Sequence, residues 1–146
     1  PLPCFLSRDD KMEQGIIYGI GTDIVDVWRL RRMNPDHRDS FIRKNLSPEE
    51  IFLLPDSNPE TFIAGRYAAK EAIAKALGSR SFSNAAVTIL NDESGRPCIE
   101  KADMLVRNKD PRETYTFHLS ISHNADYAVA FVVIERTVEK SKSTWI

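Results

Sequence analysis

Two carboxylates stand in settings that invite a role. Asp23 ends the run Ile17-Tyr18-Gly19-Ile20-Gly21-Thr22-Asp23, and Glu71 lies in the alanine-rich segment from Phe62 to Gly78, four residues before Lys75. A pair of acids suits Mg²⁺, an ion that keeps several waters and is commonly held by one or two protein carboxylates plus phosphate oxygens. Arg66, Lys70 and Lys75 add positive charge along the same segment, as phosphate binding requires. The combination fits phosphoryl-type chemistry on a pyrophosphate better than peptide or ester hydrolysis. Taken alone, Glu71 and Lys75 would be a surface i,i+4 ion pair worth only about 0.3–0.5 kcal/mol. Their company raises the functional reading: an acid ending a glycine-bared strand and a polar hairpin carrying His123.

Other polar residues are explained more simply. Ser120, Ser122, His123 and Asp126 do not make a hydrolase triad, because no Gly-x-Ser-x-Gly elbow is present and residues so close on one hairpin rarely reach that geometry. Asp26 is either a further or water-mediated metal ligand or an exposed acid favoured in the first turn of a helix. His118 reads as structural and His37 as solvated, and Asn91-Asp92-Glu93 as a hairpin turn rather than a calcium loop.

The elements that must position these groups can be read from periodicity and punctuation. Ile16 to Ile24 is a strand; alternation puts Tyr18, Ile20, Thr22 and Ile24 on one face and Ile17, Gly19, Gly21 and Asp23 on the other, with open space expected before the carboxylate. Val25 to Met33 reads as a short helix carrying Arg29, Arg31 and Arg32. Ser47 is an N-cap, Pro48 takes the first helical position, Glu50 closes a capping box, and Leu46 with Ile51 forms a hydrophobic staple; that helix stops before Pro55. Asn58-Pro59 opens a helix from Glu60 to Leu77, terminated by Gly78. At roughly 100° per residue, Phe62, Ala69, Ile73, Ala76 and Leu77 make its core stripe. Glu71 and Lys75 lie about opposite, with Ala64 and Ala68 on their arc, so that a ligand or another subunit could come close. Strands follow at Ala86 to Leu90 and Arg96 to Glu100 around a hairpin turn, a short helix at Lys101 to Asn108, and a second hairpin from Thr114 to Ser122 and Tyr127 to Ile134. The fold class is α+β, an antiparallel β-sheet with helices packed against it.

The chain has 146 residues, 42% of them hydrophobic and 28% charged, the ordinary make-up of one compact domain. Its net charge of −1 gives no sign of nucleic-acid or membrane partners, and its apolar runs are strand-length. Cys4 and Cys98 are lone thiols without metal-site spacing, which suits a reducing, cytoplasmic setting. Residues 1–12 are expected to be a flexible leader or vector-derived segment, Met12 being read as a natural start, and 13–146 a single domain.

Three segments carry a resemblance: Gly19-Ile20-Gly21-Thr22-Asp23-Ile24-Val25, Phe62 through Gly78, and Leu119-Ser120-Ile121-Ser122-His123 with Tyr127-Ala128-Val129-Ala130. Together, in order and spacing, they resemble the bacterial holo-acyl carrier protein synthases, a 4′-phosphopantetheinyl transferase family, and Arg66-Tyr67-Ala68-Ala69-Lys70-Glu71-Ala72 is the specific part. The resemblance implies a phosphopantetheinyl transferase-like fold and transfer of phosphopantetheine from coenzyme A to a serine of apo-acyl carrier protein, in support of fatty acid biosynthesis. Asp23 and Glu71 would then hold Mg²⁺ beside the coenzyme A pyrophosphate and act in catalysis. Lys75 and Arg66 would meet the cofactor's phosphates, Gly78 would lie beside it, and Ser122 and His123 would sit near its nucleotide end. Arg29, and less strongly Lys44, would dock the acidic carrier protein. The resemblance further implies a homotrimer with active sites between subunits, and in-line attack of the serine on the β-phosphate, with Glu71 or a metal-held water taking the proton. The loop Ser79-Arg80-Ser81-Phe82-Ser83-Asn84 lacks a second glycine common in that family, and Ala85-Ala86 stand where an acid is often found. Two other readings compete: a catalytically silent module that binds coenzyme A or a carrier protein, and a hydrolase using the same acids on another pyrophosphate.

Overall fold

The computed structural model describes residues 15–140. The expected leader, residues 1–12, lies outside the described residues.

Three long strands form the main sheet: β1 (Ile16–Asp26), β4 (Glu113–His123) and β5 (Tyr127–Val138), in the order β1-β5-β4 and antiparallel throughout. A second, two-stranded antiparallel ribbon joins β2 (Ile89–Asn91) to β3 (Pro97–Ile99). Among the described residues there are four α-helices: α1 (Val27–Arg31), α2 (Pro35–Asn45), α3 (Pro48–Phe52) and α4 (Pro59–Leu77). This is the expected α+β arrangement. The expected helix over Lys101 to Asn108 is only a 3-10 turn at Ala102–Leu105, and the strand expected from Ala86 begins at Ile89 after a 3-10 turn at Asn84–Ala86.

Helix α4 lies on one face of the main sheet, and the reason it can do so is Gly19 and Gly21. A Cβ at Gly19 would stand 1.9 Å from the Ala76 carbonyl oxygen, and one at Gly21 2.0 Å from that of Ala72. The glycine-bared face of β1 is therefore filled by helix backbone, which corrects the expectation of open space before Asp23. Ala64 and Ala68 are fully buried as well, so the small residues of α4 serve packing within the chain. The core they build includes Ile63 and Ile73 of α4 with Ala128, Ala130, Val132 and Ile134 of β5. Burying each large aliphatic side chain there contributes about 1.5–3 kcal/mol.

The strand β1 runs two residues further than expected, and Asp26 is the N-cap of α1, its side chain accepting from the Trp28 N–H at 2.9 Å. That capping role accounts for Asp26 without a metal. The Ser47–Glu50 capping box is present as expected. Helix α2 was not anticipated, although Asn34-Pro35 repeats the Asn-Pro signal read at Asn58-Pro59. Asn34 caps it by accepting from the His37 N–H at 2.9 Å. Gly78 ends α4 in the left-handed conformation, φ 72°, which glycine adopts without strain.

Candidate active site

The sheet and α4 bring Asp23 and Glu71 to one neighbourhood. The Lys75 ammonium donates to Asp23 Oδ1 at 3.1 Å and to the Thr22 carbonyl at 2.9 Å, tying α4 to the end of β1. Glu71 is paired with Arg80 through Oε2 and accepts from Asn84 Nδ2 through Oε1 at 3.2 Å. Both acids act on the same two groups. Burial first, then Glu71 and Asp23, push the Tyr67 hydroxyl above its ordinary value, while Arg29 and Arg80 pull the other way. The Arg80 guanidinium is held above its usual range chiefly by its hydrogen bond to Glu71, with weaker contributions from Tyr67 and Asp23.

Glu71, Tyr67, Arg80 and Asn84 line a cleft of about 650 Å³ together with Arg29, His37, Ser40, Phe41 and Lys44. Arg29, expected as a docking residue, thus faces the same cleft as Glu71. Tyr67 was given no role from sequence, His37 was read as solvated, and Arg80 and Asn84 were named only as part of the loop that departs from the family pattern. The helical arc holding Tyr67 and Glu71 could have pointed to the first, but the loop residues become neighbours only through the fold.

Among the described residues no three His, Cys, Asp or Glu side chains converge as an all-protein metal cage. The donor set at Asp23 and Glu71 does fit Mg²⁺: hard carboxylate oxygens, fewer than a full shell, leaving positions for water and phosphate. Their present counter-ions, Lys75 and Arg80, are more than half exposed, so they can swing aside.

Lys70 is the clearest departure from expectation. It is fully buried, paired with the equally buried Glu50, and donates to the Asn45 carbonyl at 2.8 Å. Burial lowers the pKa of its ammonium, partly offset by Glu50. It is a structural strut, and no phosphate reaches it. Arg66 is also mostly buried, its guanidinium lying 4.6 Å from the Phe62 ring and donating to Asn91 Oδ1 at 3.2 Å. Burial pulls its pKa down and Glu50 pushes it back.

Arg66 and His123 meet in a second cavity of about 290 Å³, with Asn58, Thr61 and Asn91 on its walls. The structure therefore does not join all the expected residues in one place: Glu71 and Arg29 line the larger cleft, Arg66 and His123 the smaller. Ser122 points elsewhere again. It pairs with Val129, itself paired with Ile24, on the sheet face away from α4. That face carries an apolar row that no other described residue covers: Ile20, Ile24, Val129 and Phe131 are 60%, 63%, 37% and 47% exposed.

The structure thus sets an acid from β1 and an acid from α4 among basic residues, on an antiparallel three-stranded sheet packed against an alanine-rich helix. The sequence model of the 4′-phosphopantetheinyl transferase superfamily matches residues 19–132, and the chain belongs to that family. It is 43% identical to a holo-[acyl-carrier-protein] synthase of Dechloromonas aromatica, the alignment covering 82% of this chain and 98% of the relative. It is 44% identical to that of Geobacillus kaustophilus, over 83% of this chain and 91% of the relative. Among solved structures it is similar to the Bacillus anthracis synthase in complex with CoA (3′,5′-ADP), with TM-score 0.63 and 34% identity over 82% and 96% of the two chains. The Helicobacter pylori synthase in complex with coenzyme A matches with TM-score 0.65 and 33% identity over 79% and 98%.

Proposed function

We propose that this chain transfers 4′-phosphopantetheine from coenzyme A to a serine of apo-acyl carrier protein, releasing adenosine 3′,5′-bisphosphate, in support of fatty acid biosynthesis. The observation that carries the reading is that Asp23 of β1 is bonded to Lys75, one helical turn from Glu71 on α4, in a chain that belongs to this transferase superfamily.

Asp23 and Glu71 would hold Mg²⁺. The ion, when bound, neutralises charge on the pyrophosphate and steadies the departing phosphate. Lys75, long and exposed beside Asp23, supplies a cation for the same phosphates, and Gly78 keeps the end of α4 free of a side chain beside the cofactor. Glu71 offers the serine proton a carboxylate in the cleft. Arg29, with Lys44 beside the same opening, meets the acidic carrier protein and aims its serine into the cleft. Arg66 and His123 receive the phosphate-bearing nucleotide end of coenzyme A in the smaller cavity, where a buried guanidinium is a strong anion partner.

The functional unit is residues 13–146 acting as a homotrimer in the cytoplasm. The uncovered apolar sheet face supports this assembly, since a second copy would bury Ile20, Ile24, Val129 and Phe131. It would also bring Ser122, which lies away from Glu71 in its own chain, toward a neighbour's site. That placement supports sites shared between subunits.

The deciding experiment is the intact mass of apo-acyl carrier protein after incubation with this protein, coenzyme A and Mg²⁺. A gain of one phosphopantetheine, lost with EDTA and with Glu71→Ala, is expected. No gain with coenzyme A still bound would leave a silent binding module, and pyrophosphate turnover without any carrier protein would leave a hydrolase.

A further inference from the structure

Glu71 receives hydrogen bonds of two unlike kinds. Arg80 reaches it from a solvent-exposed loop on a long side chain. Asn84 reaches it from inside: only 7% exposed, it opens the 3-10 turn that precedes β2. Its backbone is held there, with the Val87 N–H donating to the Asn84 carbonyl at 3.2 Å and Val87 itself buried.

The Asn84 amide is held too. Its Nδ2 donates to Asn45 Oδ1 at 2.9 Å and to Glu71 Oε1 at 3.2 Å. Asn45 cannot yield, because its own Nδ2 donates to the Phe41 carbonyl at 2.9 Å and its backbone carbonyl accepts from Lys70. Lys70 is locked to Glu50, which also accepts from the Ser47 N–H at 2.8 Å and the Ile89 N–H at 3.2 Å. A buried polar chain thus runs from Glu50 through Lys70, Asn45 and Asn84 to Glu71, linking α3, α4, α2 and the foot of β2. The amide can sit only one way round: turned over, its oxygen would face two acceptor oxygens. The chosen orientation leaves Asn84 Oδ1 buried without a donor among the described residues. An unmet carbonyl is a cost, and it is kept where both N–H groups are aimed.

We propose that Asn84 is a positioning residue that sets the orientation of the Glu71 carboxylate for Mg²⁺ and substrate. The inference rests on the role given to Glu71 above. Its physical content is that a neutral donor, fixed by burial, selects one rotamer of Glu71 without competing for the metal as a cation does. Arg80 cannot do this, since an exposed arm is mobile and screened by salt.

The test compares wild type with Asn84→Ala and the near-isosteric Asn84→Leu. Coenzyme A affinity is measured by calorimetric titration in Mg²⁺ and in EDTA, kcat with apo-acyl carrier protein, and folding by thermal unfolding. The expected result is affinity in EDTA within about twofold of wild type, with the Mg²⁺-dependent gain in affinity and kcat each cut about tenfold, the worth of one hydrogen bond to a charged group. Equal Mg²⁺-dependent gain and equal kcat per folded molecule in whichever variant folds would overturn the proposal. Glu71→Ala separates the two claims. If it keeps full transfer, the role of Glu71 falls; if it abolishes transfer while the Asn84 variants match wild type, only the positioning role falls.

Discussion

Glu71 carries its charge among groups that answer to different conditions, and this makes its surroundings testable one side chain at a time. Under the proposed function, Arg80 would compete for the Glu71 oxygen offered to Mg²⁺. Arg80→Ala is therefore expected to lower the Mg²⁺ concentration for half-maximal rate about two- to threefold, in line with about 0.2–1 kcal/mol for an exposed pair. An initial-rate titration at fixed ionic strength measures it; an unchanged half-saturation would mean the pair does not compete. Tyr67 gives a pH signature. Burial, then Glu71 and Asp23, raise its folded pKa, so the fold favours the neutral phenol. The stabilisation is fully present below the unfolded value near about pH 10 and is lost as pH rises through the raised folded value. Urea unfolding across that alkaline window should show a shallower loss for Tyr67→Phe than for wild type; parallel curves would refute it.

At the scale of elements, the buried pair Glu50–Lys70 pins α3 to α4. Lys70→Met is expected to cost about 3–5 kcal/mol by stranding the Glu50 charge, whereas Glu50→Leu with Lys70→Met should cost much less than the two single changes summed. Chemical denaturation of the four-member cycle decides it. Gly21→Ala forces a methyl onto the Ala72 carbonyl and should destabilise by roughly 2–3 kcal/mol, read from the same denaturation. These two junctions also show what a sequence can disclose. The capping box at Ser47 and the stop at Gly78 are local chemistry, so they are legible from neighbouring residues. The burial of Lys70 is not, because its partner is twenty positions away and the ammonium looks like any surface charge along α4. Asp23 and Glu71 could be picked out by type and setting, and the fold brings them together. Asn84 and Arg80 could not, since their meaning depends on a loop folding back on α4. Helix α2 was passed over because Phe41 and Ile42 are its sole large apolar residues and give too thin a stripe, despite a clear Asn-Pro start.

For the whole molecule, the decisive surface is the sheet face away from α4. A row of Ile20, Ile24, Val129 and Phe131 facing water is unfavourable for a lone copy. Ile24→Lys or Val129→Glu is expected to yield folded monomers, seen by light scattering after size exclusion, with transfer reduced at least about tenfold if Ser122 works across the interface. Full activity in a proven monomer would show that each chain carries a complete site. The fold places that face and the Glu71 cleft on opposite sides of one sheet.

The contact of Gly19 and Gly21 with the carbonyls of α4 has a consequence for this geometry. Backbone touches backbone there, with no side chain to act as a spring. The spacing of the β1 and α4 backbones is therefore set by van der Waals radii, and the bite between the Asp23 and Glu71 carboxylates is left to their rotamers alone. If Asp23 and Glu71 hold Mg²⁺ as proposed, strand and helix need no rearrangement to receive it, and only the two side chains remain to be ordered on binding.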